Sequence, residues 1–312
     1  MSSFVGSGMR KVKWRRRDKA MTEHKRRGQR GPAKATIDLI ATCSKIIEQV
    51  RPITVRGVCY RLFVAGFIDS MAVNNTQKIS RLLVQAREEG LIPWEWIVDD
   101  SRRTERTPHW LDLKEYARVI QHSYRRDFWQ YQRIKAILIS EKATVAGIMR
   151  PILEEYGVPF MALHGYNSAT KVYELAQEIR GDERTYVFLY VGDYDCSGMH
   201  MSEIDLPERL ERYGASDFTL TRIALTRGDV VDLPDFEAKK TDPRYGWYVD
   251  HYGDRAWELD AMDPNDLRDR VRGEIEQYID QESWERHKLT EKAEQETVRT
   301  IAERMTACSG VS

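Results

Sequence analysis

Two aspartates separated by one residue, Asp193 and Asp195, follow the apolar run 186–191 in a chain of 312 residues. A strand sends alternate side chains to opposite faces, so these two carboxylates share a direction. Like charges placed side by side are unfavourable unless a cation neutralises them. Glu141 follows a second apolar run, 136–139, by way of Ser140. If both runs are strands of one parallel sheet, three carboxylates meet at one sheet edge, where ligand sites of such sheets lie. Hard oxygen donors of this kind suit Mg²⁺ or Mn²⁺, which keep several waters and also take phosphate oxygens. The plain alternative is that strand-end acids cap the helices that follow them.

A second pair of residues could do chemistry upstream. In 54–60, which read Thr-Val-Arg-Gly-Val-Cys-Tyr, Arg56 and Tyr60 are four apart and share one helix face. The Arg can hold a phosphate beside the phenol and favour the phenolate, whose ordinary pKa of about 10 is too high for a good nucleophile at neutral pH. The alternative is a core or interface tyrosine beside an ordinary arginine.

Positioning these residues requires two kinds of architecture. Ile37, Ile40, Ile46 and Ile47 give 36–50 a helical pattern. Thr54 is placed to cap a second helix bearing Val55, Val58, Leu62 and Phe63, which Gly66 ends. A third helix is expected over 76–89, with Ile79, Leu82, Leu83 and Ala86 on one face and Gly90 as its stop. The β-formers of 91–98 predict a strand or ribbon, which completes a winged-helix pattern with the third helix against DNA. Residues 110–134 read as a connecting helix. From there strands at 136–139, 159–163 and 185–191 alternate with helices at 143–156, 168–179 (capped by Ser168) and 198–213. That alternation predicts a parallel, doubly wound sheet. A charged helix is expected over 284–306.

Composition bounds the partners. Hydrophobic residues are 41% and charged residues 31%, which predicts a globular chain. No apolar run reaches the roughly 18 residues that span a bilayer, and the amino terminus carries no apolar signal segment. Cys43, Cys59, Cys196 and Cys308 form no Cys-x-x-Cys pair, so neither a zinc site nor a disulfide framework is expected. A reducing cytoplasmic setting, nucleoid-associated in a prokaryote or phage, fits this usage. The net charge is zero, yet residues 10–34 hold twelve Lys or Arg and two acids, a local charge of +10. Such a block, Arg15, Arg16, Arg17, Arg26 and Arg27 among its members, is expected to be a flexible arm (1–35) meeting phosphates.

Glu141 after one strand and Asp-x-Asp-x-x-Gly at 193–198 after a later one resemble the Toprim domain of topoisomerases, primases and several nucleases. With Arg-x-x-x-Tyr in an upstream winged helix, the chain resembles the A subunit of topoisomerase VI and its meiotic double-strand-break relatives. Lys240-Thr241-Asp242-Pro243-Arg244, Tyr252-Gly253, Glu258-Leu259-Asp260-Ala261 and 264–268 continue the similarity, which covers roughly residues 36–285 in the same order. Cys59 stands where the family usually has an aromatic, Gly57 where an acid is common, and Lys171 where an Arg is usual.

The resemblance implies an α/β fold with a CAP-like winged-helix domain (36–125) and a Toprim domain (126–312) whose parallel central sheet has helices on both faces. It implies a type IIB topoisomerase-like cleavage subunit making double-strand breaks. Tyr60 would attack the phosphodiester and stay joined to a 5′-phosphate, Arg56 would orient the phosphate, and Glu141, Asp193 and Asp195 would hold Mg²⁺ or Mn²⁺. It implies a homodimer on double-stranded DNA, with Tyr60 of one copy meeting the metal of the other. Arg102, Arg103, Arg106, Lys171 and the basic arm are expected to touch DNA. No Gly-rich phosphate loop is present, so an ATPase B-type subunit or another accessory protein is the partner expected. Two rivals stand beside this expectation: a Toprim nuclease in which water attacks, and a non-catalytic DNA-binding protein.

Overall fold

A computed structural model of the chain describes residues 34–98, 109–163 and 169–308. The basic arm with Arg15, Arg16, Arg17, Arg26 and Arg27, and the loop with Arg102, Arg103 and Arg106, lie outside the described residues. By its packing the chain divides after Leu39, and residues 40–312 form one compact unit. α1 (Lys34–Val50) crosses that division and buries Ile40, Cys43, Ile47 and Val50.

β1 (Ile53–Thr54), α2 (Val55–Val64) and α3 (Val73–Glu88) follow. Thr54 caps α2 as expected, its hydroxyl accepting from the Gly57 amide at 2.8 Å. Ile79, Leu83 and Ala86 form the buried face of α3, and Asn74, Gln77, Lys78 and Arg81 are exposed. The expected ribbon at 91–98 is reduced to β2 (Ile97–Val98), preceded by a 3₁₀ turn at Trp94–Trp96. β2 pairs with β1, in parallel, with Ile53 opposite Ile97. The β-formers are diverted because Pro93 has no amide to donate and both tryptophans serve as faces for cations. The Arg87 guanidinium lies 4.6 Å from the Trp94 ring and that of Arg51 4.2 Å from the Trp96 ring.

The connecting helix is also shorter than expected: α4 (Leu113–Ser123) ends well before residue 134. The chain turns to bring Trp129 into the core, where the indole donates to the Tyr156 carbonyl at 2.7 Å. The Asp127 carboxylate accepts from the Trp129 amide and sets that turn.

The remaining elements are β3 (Ile134–Ser140), α5 (Thr144–Tyr156), β4 (Phe160–Ala162), α6 (Ala169–Arg180), β5 (Thr185–Val191), α7 (Cys196–His200), α8 (Leu206–Arg212), β6 (Phe218–Ala224), β7 (Phe236–Glu237), α9 (Tyr245–Tyr252), β8 (Arg255–Ala256), α10 (Pro264–Glu276) and α11 (Gln281–Cys308). A π turn at Met201–Asp205 joins α7 to α8. β4, β3, β5 and β6 form a parallel sheet in that order, with β7 and β8 a separate antiparallel pair. This agrees with the α/β expectation of a parallel sheet flanked by helices.

Both faces of the two central strands are covered, which is why they read as continuous apolar runs. Ala136, Leu138, Val187, Leu189 and Val191 face α5, α9 and α10. Ile137, Ile139, Tyr186, Phe188 and Tyr190 face α6 and α8. The amino-terminal helices are fastened to this layer by Arg268 of α10, which donates to the carbonyls of Val50 (3.0 Å) and Ile148 (3.3 Å). No described helix is long and apolar enough to cross a membrane. Cys43, Cys59 and Cys196 are free and buried.

Candidate functional site

β3 and β5 run side by side with Ile139 opposite Tyr190. Glu141 and Asp193 therefore leave the same edge of the sheet. The loop after β5 is held on both sides. Gly192 exchanges hydrogen bonds with β6, its amide donating to Ala224 O (2.7 Å) and its carbonyl accepting from Leu225 N (2.9 Å). Tyr194 forms a two-bond antiparallel bridge with Trp257.

Asp195 does what the plain alternative expects of it: its carboxylate accepts from the Gly198 amide at 2.7 Å and caps α7. Gly198 itself is required by space, because a Cβ there would lie 2.2 Å from the Asp193 carbonyl oxygen. The Asp-x-Asp-x-x-Gly spacing thus has a local structural reason. It also leaves Asp195 close enough to Asp193 and Glu141 for their charges to interact. Burial, then Asp193 and Asp195, push the Glu141 carboxyl up to about 7. Burial and Asp193 raise Asp195 as well. The Ser197 hydroxyl donates to Glu141 at 3.4 Å.

The structure adds a cation that sequence reasoning did not single out. Lys142 Nζ lies 2.8 Å from Asp193 Oδ1 and 3.2 Å from Asp260 Oδ2. Burial alone would lower its pKa, but Asp193 and Asp260 outweigh that and raise it. Asp193 Oδ1 also accepts from the Leu259 amide at 2.7 Å. The turn at Leu259–Ala261 is therefore pinned to the acidic edge.

That same turn holds α2. The Thr54 hydroxyl donates to Asp260 Oδ1, and Arg56 donates from Nε and Nη2 to both carboxylate oxygens of Glu258. A continuous polar path runs from Asp193 through Lys142 and Asp260 to Thr54, with the Glu258–Arg56 pair beside it. The Arg56 guanidinium lies 5.9 Å from the Tyr60 ring, as the four-residue spacing predicts. Tyr60 is only 3% exposed. Burial and the neighbouring Glu258 raise its pKa, and Arg56 only partly opposes them.

Beneath the acidic loop lies Arg222 of β6. Its guanidinium donates to the carbonyls of Leu225 (2.8 Å), Asp193, Gly192 (3.4 Å) and Gly198 (3.4 Å) and to the Ser202 hydroxyl (3.3 Å). No signal in the sequence marks it beyond a lone Arg in a strand. Lys171, expected at DNA, is exposed on the first turn of α6.

Glu141, Asp193 and Asp195 offer hard oxygen donors whose combined negative charge Lys142 and Arg222 offset only in part, which fits a dication. Among the described residues no three acidic, His or Cys side chains form a ready-made cage. A Mg²⁺ held by one or two carboxylates and several waters does not need one. No protein-family model matches the chain, and no curated protein matches it.

Proposed function

We propose that the chain is a DNA-cleaving transesterase of the topoisomerase VI A-subunit type, with residues 36–125 acting as a winged helix and the parallel-sheet segment as a Toprim domain. The observation that carries this reading is the joining, in one compact unit, of the Arg56–Tyr60 helix to the Glu141–Asp193–Asp195 edge through Asp260 and Lys142.

In this reading the Tyr60 oxygen attacks the phosphorus of a duplex strand. The phenol gives its proton to water, a phosphotyrosyl bond forms to the 5′-phosphate, the bond to the 3′ oxygen breaks, and that oxygen takes a proton from water and leaves as a hydroxyl. Arg56 holds a non-bridging oxygen of the phosphate once it parts from Glu258. Glu141 and Asp193, with Asp195 as a further donor, hold Mg²⁺ or Mn²⁺. When bound, that ion supplies neutralisation of charge on the phosphate and its leaving oxygen. Two copies cut the two strands, and an ATPase partner supplies any energy-driven cycle. The basic arm makes salt-sensitive contacts to phosphates.

One observation favours a second reading. Tyr60 is buried and its pKa is raised, which suits a hydrolytic Toprim nuclease in which Tyr60 is structural. Labelled duplex DNA incubated with the purified chain and Mg²⁺ or Mn²⁺, then quenched in denaturant, separates the two. The proposal expects protein covalently attached to DNA ends and none with Tyr60→Phe. Cutting that survives Tyr60→Phe assigns the chain to the hydrolytic class.

A further inference from the structure

On the other side of the acidic loop is an open cleft of about 620 Å³. Tyr194, between Asp193 and Asp195 and in extended backbone, is turned away from both carboxylates and is buried in the wall of this cleft. Tyr252 and Trp257 also line the cleft and meet the Tyr194 ring edge-on, at centroid distances of 5.6 and 5.7 Å. These rings are held before any ligand arrives. The Trp257 indole donates to the Leu233 carbonyl at 3.2 Å, and the Tyr252 hydroxyl donates to Glu203. Arg222 forms the floor, immobilised by the backbone carbonyls it binds, and Arg227 is exposed at the rim. Val231, 77% exposed, adds an apolar surface at the mouth.

A volume of this size is in the range of small-molecule sites, roughly 300–1,000 Å³. The lining asks for a ligand with two properties. Aromatic rings and an exposed apolar side chain favour a flat π-system. Arg222 answers the acidic loop, so the cation offered to a ligand is Arg227 at the rim, and the one carboxylate of the lining, Glu203, is already bonded to Tyr252; the rim therefore favours negative charge. A nucleotide has both. We infer that this cleft binds one nucleotide of a nucleic-acid strand, with the base against Tyr252 and Trp257 and a phosphate at Arg227. A base can enter only when it is unstacked from its neighbours, so single-stranded or locally opened DNA is the form recognised. The inference rests on the proposed function for the role of that strand: it makes the cleft the subsite beside the scissile phosphate, across the Asp193–Asp195 loop.

The test is binding, in EDTA, with no cleavage involved. The full chain is titrated with dAMP, a labelled single-stranded oligonucleotide and the matching duplex, following tryptophan fluorescence and anisotropy. The expected result is saturable quenching by dAMP that is absent in Trp257→Phe, with the single strand bound more tightly than dAMP and the Trp257-dependent quenching produced by the single strand and not by the duplex. Arg227→Ala and Val231→Asp, both surface changes, weaken single-strand binding by about tenfold, the scale of one lost base or phosphate contact. Binding unaffected by both surface variants overturns the inference, as does the absence of quenching by dAMP. Equal affinity for dAMP and the single strand overturns the substrate-strand role and leaves a free-nucleotide site. The outcome is separable from that of the proposed reaction. Nucleotide binding that holds while cleavage survives Tyr60→Phe keeps the cleft and discards the transesterase; a covalent adduct without nucleotide binding does the reverse.

Discussion

Arg56 and Glu258 stand 202 residues apart in the sequence and meet through two parallel hydrogen bonds, Nε and Nη2 to the two carboxylate oxygens. While this pair holds, the guanidinium is engaged, and Glu258 opposes ionisation of Tyr60. Burial and this carboxylate together keep the candidate nucleophile protonated, and the same carboxylate occupies its phosphate-binding partner.

Glu258→Gln should therefore make Tyr60 more reactive. Removing the negative charge lowers the phenol pKa toward its ordinary value and increases the phenolate present at pH 8. Nitration of the Tyr60 peptide by tetranitromethane, followed by mass spectrometry, should be faster in the variant than in the parent chain. Equal rates would show that burial alone protects the phenol. Because Arg56 is half-exposed, the stability lost with the pair should be small, about 1 kcal/mol or less.

Lys142→Met should be more costly. It leaves Asp193 and Asp260, which are 10% and 9% exposed at the side chain, without the cation between them. Breaking a fully buried pair costs about 3–5 kcal/mol, and Lys142 is partly exposed, so about 2–3 kcal/mol is expected in urea denaturation. Millimolar Mn²⁺ should restore part of this loss, because a dication can take the place of the ammonium. A variant whose denaturation midpoint is indifferent to Mn²⁺ would argue against a dication at this edge.

Gly198→Ala tests the loop itself. The added methyl would meet the Asp193 backbone carbonyl at 2.2 Å, and a backbone atom cannot swing aside as a side-chain tip can. The expected loss is about 2–3 kcal/mol, at the upper part of overpacking costs. A circular-dichroism melt indistinguishable from that of the parent would show that the loop has slack.

Stability toward acid should depend on Asp182. Hydrogen bonds from Arg184, assisted by the Tyr186 hydroxyl, hold its carboxyl well below the usual carboxylate range. Its folded pKa lies below its unfolded value of about 3.9, so its contribution is present above that pH and fades as pH falls further. The stability difference between the parent and Asp182→Asn should be about 1–2 kcal/mol at pH 6, discounted for the partial exposure of the pair, and should fall steadily as pH drops from 4 to 2.5 and beyond. A difference that stays constant from pH 6 to pH 2.5 would sink this assignment.

The parallel sheet is readable from the sequence because its central strands are buried on both faces and so form unbroken apolar runs between helical patterns. The Thr54 cap and the Arg56–Tyr60 adjacency are readable because both depend on residues within four positions. The region of 91–98 misleads for a physical reason. Trp94 and Trp96 have high strand propensity, but here they cover Arg87 and Arg51 instead of joining a ribbon. Residues 110–134 mislead similarly, since their helical pattern yields to the burial of Trp129.

What the sequence by itself determined was the chemistry available at each strand end: Glu141 after β3, Asp193 and Asp195 after β5, and Arg56 one turn before Tyr60. Which charges answer which was decided only by the tertiary structure. Lys142 reaches Asp260 across 118 residues and Arg56 reaches Glu258 across 202, and no local pattern encodes contacts of that range. They arise because the 259–261 turn is carried to the acidic edge by the Tyr194–Trp257 bridge and the Asp193–Leu259 hydrogen bond. The two aspartates are consequently one end of a polar path that leads to the Tyr60 helix, and the cleft behind Tyr194 is formed by the same loop.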